Sequence, residues 1–344
     1  MATFKTLPTR PLGRNGPLVP RIGLGLMGAS GIYGTTISEN ARFELLNEAY
    51  KRGERFWDTS SSYGDSEEIL GKWFAANPEK RKDIFIATKF GIQRTDTFPG
   101  FTVASTPEYC RESLESSLKL LGLPFIDLFY VHRLDKVTPI EKTMEALVEL
   151  KKAGKIKYIG LSECSAESLR RAHAVHPITC VQMEYSLLCT EIESPERKLL
   201  ETTRELGVGV VCYSPLANGL LTGCLNSIAD ADSLGNRRRV LPWLKDEVLE
   251  QNIEVLSQIN GIANSKSITT PQLALAWLLA QGDDIFPIPG SSKTQRLEEN
   301  LGSLFVDFSE EEEKMIRHLG EKVVGGRFQE TTGYAFADTP APEE

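Results

Sequence analysis

Four side chains near the start of the chain have the types and spacing needed for proton transfer. Asp58, Lys89 and His132 each end a short apolar run, and Tyr63 follows the first of these runs by a few residues. Together, a phenol, an ammonium that stabilises its phenolate, a carboxylate that keeps the ammonium charged and an imidazole suit protonation of a carbonyl oxygen. Any one of them alone is more often an ion pair or a packing residue, so the prediction depends on their convergence.

The elements that would bring these residues together follow from the apolar pattern. Short apolar strands alternate with helices about eight times, which indicates a parallel sheet with both faces covered. Eight such units favour a (β/α)₈ TIM barrel of the α/β class, with an N-terminal β-hairpin and extra C-terminal helices. Barrel active sites lie at the C-terminal ends of the strands, where these residues fall. Strands are predicted at 22–26, 55–58, 84–88, 128–132, 157–162, 179–184, 209–213 and 285–289, and helices at 38–51, 66–74, 106–121, 139–153, 166–174, 196–206, 247–259, 271–281, 294–301 and 309–319.

Composition limits the classes of function. The 344 residues form one predicted domain, with a core at about 10–320 and a weakly patterned tail at 325–344. A net charge of −8 argues against a non-specific nucleic-acid binder. The six cysteines form no C-x-x-C pair, and neither a signal peptide nor a membrane span is visible, so a cytoplasmic location is expected. His173 and His176 lack companion ligands, so no metal site is predicted, and the pattern does not give the oligomeric state.

The run from Gly23 to Gly28 matches the dinucleotide fingerprint G-x-G-x-x-G. That motif needs a helix to begin within the glycines, whereas here the next predicted helix begins near Ser38. We therefore interpret the run as a strand end and a loop at the barrel mouth.

Motifs along nearly the whole chain resemble the aldo-keto reductase superfamily. The variants at 160–163 and 289–291 are similar to a branch of larger plant, fungal and bacterial members that includes pyridoxal-reductase-like and perakine-reductase-like enzymes. The matching residues are Asp58-Thr59, Tyr63-Gly64, Thr88-Lys89, His132, Gly160-Leu161-Ser162, Gln182, Tyr213-Ser214-Pro215-Leu216, Ile288-Pro289-Gly290-Ser291-Ser292, Arg296, Glu299 and Asn300.

The resemblance implies an NADP-dependent oxidoreductase that transfers a hydride from NADPH to an aldehyde or ketone. Tyr63 would be the general acid, tuned by Lys89 and Asp58, with His132 placing the carbonyl. The substrate would be a small, mostly apolar carbonyl compound. Substrate contacts are expected from Tyr33, Trp57 and His132, and cofactor contacts from Met27, Ser162, Glu163, Gln182, Tyr213, Ser214, Pro215, Leu216, Gly219, Gly290, Ser291, Lys293, Arg296, Glu299 and Asn300.

Within that list, the resemblance implies different parts of the nucleotide for different residues. Ser162 and Gln182 would bind the carboxamide, and Tyr213 would stack on the nicotinamide ring. The loop from Ser214 to Gly219 would line the pyrophosphate channel. Residues 290–300 would surround the adenosine and its 2′-phosphate, where a helix begins.

The sequence departs from the family pattern at two positions. Glu163 stands where many members have Asn, so it can accept from the carboxamide but not donate to it. Gly290 stands where many have Lys, and Lys293 is expected to supply that charge. Two other functions remain open: a nucleotide-binding regulatory subunit that resembles the β-subunits of potassium channels, and a dehydrogenase that works mainly towards alcohol oxidation.

Overall fold

The structure is a computed structural model that describes residues 7–30, 37–96, 100–225, 227–233, 241–327 and 333–342. A short antiparallel hairpin, β1 (Thr9–Pro11) and β2 (Leu18–Pro20), precedes the main sheet. Its Leu12 and Val19 side chains are fully buried with apolar residues of the main strands. The hairpin therefore packs against the interior of the sheet, as the sequence predicts.

Eight parallel strands form the main sheet, and neighbouring strands are paired in the order β12-β11-β10-β9-β8-β5-β4-β3. The two outer strands also meet, because the Gly23 and Gly25 amides donate to the Pro287 and Pro289 carbonyls at 3.0 and 3.3 Å. The predicted (β/α)₈ barrel is thereby confirmed. Its strands are β3 (Leu24–Gly25), β4 (Phe56–Asp58), β5 (Phe85–Phe90), β8 (Ile126–Val131), β9 (Ile156–Ser162), β10 (Cys180–Glu184), β11 (Gly209–Tyr213) and β12 (Ile285–Pro287).

Helices surround the sheet, and several begin with a side-chain cap. Ser38, Thr106, Ser165, Thr269 and Ser309 each accept a hydrogen bond from an amide of the first turn. The helices are α1 (Glu39–Lys51), α2 (Ser66–Ala76), α3 (Pro107–Leu121), α4 (Ile140–Lys152), α5 (Ala166–Val175), α6 (Leu199–Leu206), α7 (Ile228–Ser233), α8 (Asp246–Ser265), α9 (Thr270–Ala280), α10 (Thr294–Gly302) and α11 (Glu310–Glu321). Within the described ranges, none is long and apolar enough to cross a membrane.

Two cores lie on opposite faces of the sheet, because successive strand residues point to opposite sides. Phe56, Ala87, Leu128 and Val211 pack in the barrel interior. Residues beside them in sequence pack outward against the helices in a larger cluster. Positions two along from an interior residue face inward as well, which directs Asp58, Lys89, Tyr130 and Tyr213 towards the barrel axis.

The structure differs from the predicted elements in several places, among them helix α7 (Ile228–Ser233), which was not predicted. Helix α6 begins at Leu199 rather than near 196, since Lys198 has a left-handed backbone with φ 51°. Helix α8 continues to Ser265, past the predicted end at 259. An unpredicted hairpin, β6 (Ile92–Arg94) and β7 (Phe101–Val103), follows β5.

Candidate active site

Asp58, Lys89 and Tyr63 meet at the C-terminal end of β4 and β5. The Lys89 ammonium is fully buried and donates to Asp58 Oδ1, to the Thr59 carbonyl at 2.7 Å and to the Tyr63 hydroxyl at 3.4 Å. Burial alone would lower the pKa of Lys89, but the Asp58 carboxylate and the Tyr63 oxygen together raise it above its usual value. The phenol therefore lies beside a permanent positive charge.

His132 lies immediately after β8, beside the Tyr63 ring. The two ring centroids are 5.8 Å apart, in an edge-on arrangement. Ser60, which the sequence analysis did not single out, has its Oγ 3.1 Å from His132 Nδ1. Burial, reinforced by the positive charges of Arg133 and Lys89, lowers the pKa of His132 well below its usual value, so the imidazole is neutral near pH 7.

A neutral imidazole has one donor and one acceptor nitrogen. Where the Ser60 hydroxyl donates to Nδ1, the proton of the neutral ring lies on Nε2. Such a histidine donates one hydrogen bond towards the site and does not itself supply a positive charge.

Gln182 on β10 is directed towards the Asp58 carboxylate. Its Nε2 donates to Asp58 Oδ2 at 2.8 Å, so both Asp58 oxygens are occupied. This bond orients Asp58, and the expected contact of Gln182 with the carboxamide stays a prediction. Tyr130 packs below, 5.8 Å from the Lys89 ammonium to its ring centre.

Two expected substrate residues need separate comment. Trp57 is fully buried in the outer core, its ring 4.8 Å from that of Trp73, and its indole donates to the Glu54 carbonyl at 3.0 Å. We correct the expectation that it contacts substrate: it neighbours Asp58 on a strand and must face the opposite side. Tyr33 lies outside the described residues.

A second group of polar side chains lies across the barrel mouth, after β8, β9 and β11. Arg133 donates to the His132 carbonyl at 2.7 Å and to Ser162 Oγ at 3.2 Å, and its guanidinium lies 6.0 Å from the centre of the Tyr213 ring. Because Ser162 Oγ already accepts from Arg133, its own hydroxyl proton is available for another acceptor. The resemblance did not identify Arg133, although it directly follows His132 in the sequence.

Glu163 is held in a fully buried ionic cluster. Its Oε1 accepts from Arg327 Nη2 at 2.6 Å, from the Tyr213 hydroxyl at 2.9 Å and from the Glu184 amide at 3.2 Å. Arg327 Nε also donates to Glu184 Oε2 at 3.3 Å. Among the described residues, Glu163 Oε2 and Arg327 Nη1 have no hydrogen-bond partner although they are buried.

The loop after β11 has an irregular backbone. Ser214, Ala217, Asn218 and Gly219 all have φ between 48° and 100°. Successive right- and left-handed residues turn backbone N–H groups into concave arrangements that bind anions. The adjacent Leu220 and Leu221 are buried and anchor the loop.

The region expected to bind adenosine lies at the start of α10. Ser291 Oγ donates to the Lys293 carbonyl at 2.7 Å and accepts from the Lys293 amide at 3.0 Å, which forms a tight turn before the helix. Lys293 and Arg296 are exposed, whereas Asn300 is buried. Two cations thus lie near the positive end of a helix dipole, an arrangement that favours a phosphate.

The chain is similar to known proteins over nearly its whole length. The family model described as Aldo/keto reductase family matches residues 21–321. Two relatives are each 45% identical over 340 residues, covering 97% of this chain and 98% of theirs: aldo-keto reductase str7 of Strobilurus tenacellus and aldo-keto reductase yakc [NADP(+)] of Schizosaccharomyces pombe. A probable aldo-keto reductase 1 of Glycine max is 39% identical over 339 residues, covering 96% of this chain and 95% of its own.

Solved structures have the same fold. A thermostable aldo-keto reductase crystallised with the inhibitor epalrestat aligns with a TM-score of 0.71 and 29% identity, over 91% of this chain and all (100%) of its own. A glycerol dehydrogenase from Gluconobacter oxydans aligns with a TM-score of 0.78 at 24% identity, over 94% and 97% of the two chains. The second similarity is one of fold alone. From the family match and the close relatives, this chain belongs to the aldo/keto reductase family.

Proposed function

We propose that this protein reduces an aldehyde or ketone to an alcohol with NADPH, with Tyr63 as the general acid. The observation that carries the proposal is the Tyr63 hydroxyl, 3.4 Å from a fully buried Lys89 ammonium that is itself paired with Asp58. For structural stability alone, the Lys89–Asp58 ion pair would be sufficient and would not need a phenol beside it. The buried ammonium suits a phenol that gives up its proton.

Each residue has a separate part in this mechanism. Bound NADPH supplies the hydride. As negative charge develops on the carbonyl oxygen, the Tyr63 hydroxyl donates its proton to that oxygen, and Lys89 stabilises the phenolate that remains. His132, neutral and protonated on Nε2, donates to the same oxygen and fixes its position. In the reverse direction the phenolate accepts the proton of the alcohol.

The rim after β9 fits the carboxamide of nicotinamide, which has one acceptor oxygen and one donor amino group. The Ser162 oxygen accepts from Arg133 at 3.2 Å through one of its two lone pairs, so its hydroxyl proton can be donated to the carboxamide oxygen. The buried Glu163 Oε2, without a partner among the described residues, is suited to accept from the amino group. The buried and orphaned oxygen is what supports this placement.

The choice of NADPH over NADH has two supports. The Schizosaccharomyces pombe relative at 45% identity carries NADP(+) in its name. Lys293 and Arg296 place two exposed cations at the start of α10, where a 2′-phosphate would be bound. We expect NADPH to be oxidised faster than NADH at equal concentration.

The test of the mechanism is Tyr63→Phe, which removes only the hydroxyl. We expect the rate of NADPH oxidation with aromatic and aliphatic aldehydes to fall by about 10³-fold or more, because the proton donor is lost. The Kd for NADPH, measured by fluorescence, should change less than about threefold, since the ring remains. A variant that retains close to wild-type turnover would exclude Tyr63 as the acid. A wild-type protein that binds NADPH tightly but turns over no aldehyde would instead favour a regulatory subunit.

A further inference from the structure

We propose that Arg327, in the segment after the last helix, is a positioning residue for the cofactor: it holds the Glu163 carboxylate and the Tyr213 ring at the nicotinamide end of the site and neutralises their surroundings. The inference rests on the proposed function and extends it to a part of the chain outside the barrel.

Arg327 is the one positive charge in direct hydrogen-bond contact with both Glu163 and Glu184 among the described residues. Its guanidinium donates to Glu163 Oε1 at 2.6 Å, to Glu184 Oε2 at 3.3 Å and to the Tyr213 hydroxyl at 3.2 Å. The Arg327 and Glu163 side chains are completely buried, and that of Glu184 nearly so. Removing one partner of a buried ionic group leaves an uncompensated charge, which is strongly unfavourable.

The backbone of Glu163 is held by the same C-terminal region. Glu163 has φ 54°, a left-handed conformation that is unfavourable for a residue with a side chain. The Ala337 amide donates to the Glu163 carbonyl at 2.8 Å, and the Ser165 amide donates to the Ala337 carbonyl at 3.0 Å. The C-terminal segment therefore holds Glu163 at two points: Arg327 binds its carboxylate, and Ala337 binds its backbone.

This arrangement determines which Glu163 oxygen faces a ligand. Since Oε1 is occupied by Arg327 and Tyr213, only Oε2 is left for the carboxamide. Tyr213 cannot turn freely either, because its hydroxyl is bound to Glu163 at 2.9 Å while its ring is expected to stack on nicotinamide. Without Arg327, both groups lose their orientation together.

Charge gives the inference a signature that a purely structural role lacks. The nicotinamide ring of NADP⁺ is cationic and that of NADPH is neutral, while the two forms share their phosphates. An unpaired Glu163 carboxylate would favour the cationic ring, so the loss of Arg327 should weaken NADPH binding more than NADP⁺ binding. A general loss of nucleotide binding raises both Kd values by the same factor and leaves their ratio unchanged.

The effect should depend on pH. Burial raises the pKa of Glu184 to about 7 even though Arg327 lowers it, so the loss of Arg327 should raise this pKa further, and Glu184 should take up a proton as the pH falls below the raised value. The other charged or titratable groups that act on this cluster are Arg133, from the loop after β8, and Cys189 and Glu191, from the segment after β10. At acid pH the extra negative charge should therefore be reduced.

The experiment compares Kd values for NADPH and NADP⁺ at about pH 6 and about pH 9 in the full chain. For Arg327→Met at the higher pH, we expect the Kd for NADPH to rise about tenfold and that for NADP⁺ by less than about threefold. At the lower pH, and in Glu163→Gln/Arg327→Met, the ratio should return towards the wild-type value. Arg197→Met is the matched control, because the exposed Arg197 packs on the same Phe336 ring, 4.5 Å from its centre against 5.0 Å for Arg327.

The outcomes separate this inference from the proposed function. Equal weakening of both nucleotides, or no weakening, in a folded Arg327→Met would overturn the positioning role while leaving the reductase proposal intact. A wild-type protein that binds neither nucleotide would overturn both. If Arg327→Met does not fold, Arg327→Lys replaces it. The ammonium lacks the forked geometry with which the guanidinium binds Glu163, Glu184 and Tyr213, so the same pH-dependent change in ratio, reduced in size, is expected. An unchanged ratio would contradict the inference.

Discussion

Burial sets opposite charge states for two neighbouring side chains in the site. Lys89 and His132 are both shielded from water, yet among the described residues only Lys89 has a carboxylate in contact. The lysine therefore stays charged, while burial lowers the pKa of His132 and keeps it neutral. These two charge states suit carbonyl reduction: a cation stabilises the phenolate, and a neutral donor positions the carbonyl oxygen.

Replacing Ser60 by Ala tests whether the tautomer of His132 matters. The Ser60 hydroxyl is 3.1 Å from Nδ1, and without it the ring is free to carry its proton there and lose the Nε2 donor. We expect kcat for aldehyde reduction to fall about tenfold, or about 1.4 kcal/mol, with the Kd for NADPH unchanged. Ser61→Ala is the control, because the Ser61 hydroxyl donates to the Lys89 carbonyl at 2.9 Å instead of the imidazole. An equal fall of kcat in both variants would argue against the tautomer role.

The sequence allows the position of a site residue to be predicted where the pattern of neighbouring residues indicates it. Asp58, Lys89 and His132 end apolar runs, so their position at strand ends is readable. Trp57 was misplaced although a signal existed: its neighbour Asp58 had to face the interior, which turns Trp57 outward. Arg327 gave no such signal, because it binds Glu163 across 164 residues of sequence from an unpatterned tail.

Helices α2 and α3 can approach each other closely because α2 has a glycine, Gly71, at their contact. Gly71 on α2 faces the backbone of α3, and a Cβ placed there would lie 2.1 Å from the Leu120 carbonyl oxygen. Helix α2 positions the loop that carries Tyr63, since its first residue, Ser66, donates its amide to the Tyr63 carbonyl at 3.1 Å. The spacing of α2 and α3 therefore affects the site.

Two glycine-to-alanine substitutions in helices should have opposite effects. Gly71→Ala should destabilise the protein by about 2 kcal/mol or more, because backbone of α3 must move away. Gly261→Ala, in α8, meets nothing within 4 Å and should stabilise by about 0.5–1 kcal/mol, since alanine has the higher helix propensity. Urea unfolding of the two variants and the wild type measures both. A stabilised Gly71→Ala would show that the helix contact is looser than described.

Element boundaries were predictable where a cap or a glycine marks them and not elsewhere. Ser38 and Thr106 cap α1 and α3 as expected, and Gly122 ends α3 in a left-handed conformation. Helix α6 begins three residues later than predicted, at Leu199 rather than 196, since Lys198 adopts a left-handed conformation that lysine gives no reason to expect. The hairpin after β5 was not predicted either. It contacts the site, because its Arg94 donates to the carbonyl of Ser62, the residue before Tyr63, at 2.8 Å.

The molecule as a whole contains buried acids that have no role in the proposed chemistry. Glu54, between α1 and β4, is almost completely buried, and among the described residues its Oε2 has no partner. Burial raises its pKa from an ordinary value near 4.5 to about 8, against the opposing effect of Arg52. The folded protein therefore keeps this proton at pH values where the unfolded chain has lost it.

Stability should consequently fall as pH rises through this range, and Glu54→Gln should remove part of the fall. Between pH 4.5 and about 8 the folded state binds the Glu54 proton and the unfolded state does not, which lowers stability by up to about 1.4 kcal/mol per pH unit. The free energy of unfolding of Glu54→Gln, relative to wild type, should therefore be higher at about pH 8 than at about pH 5.5 by more than about 1 kcal/mol. Guanidinium unfolding at the two pH values measures the difference, and Glu44→Gln, at an exposed position on α1, should show none. A difference for Glu54→Gln that is the same at both pH values would mean that the folded protein does not retain this proton.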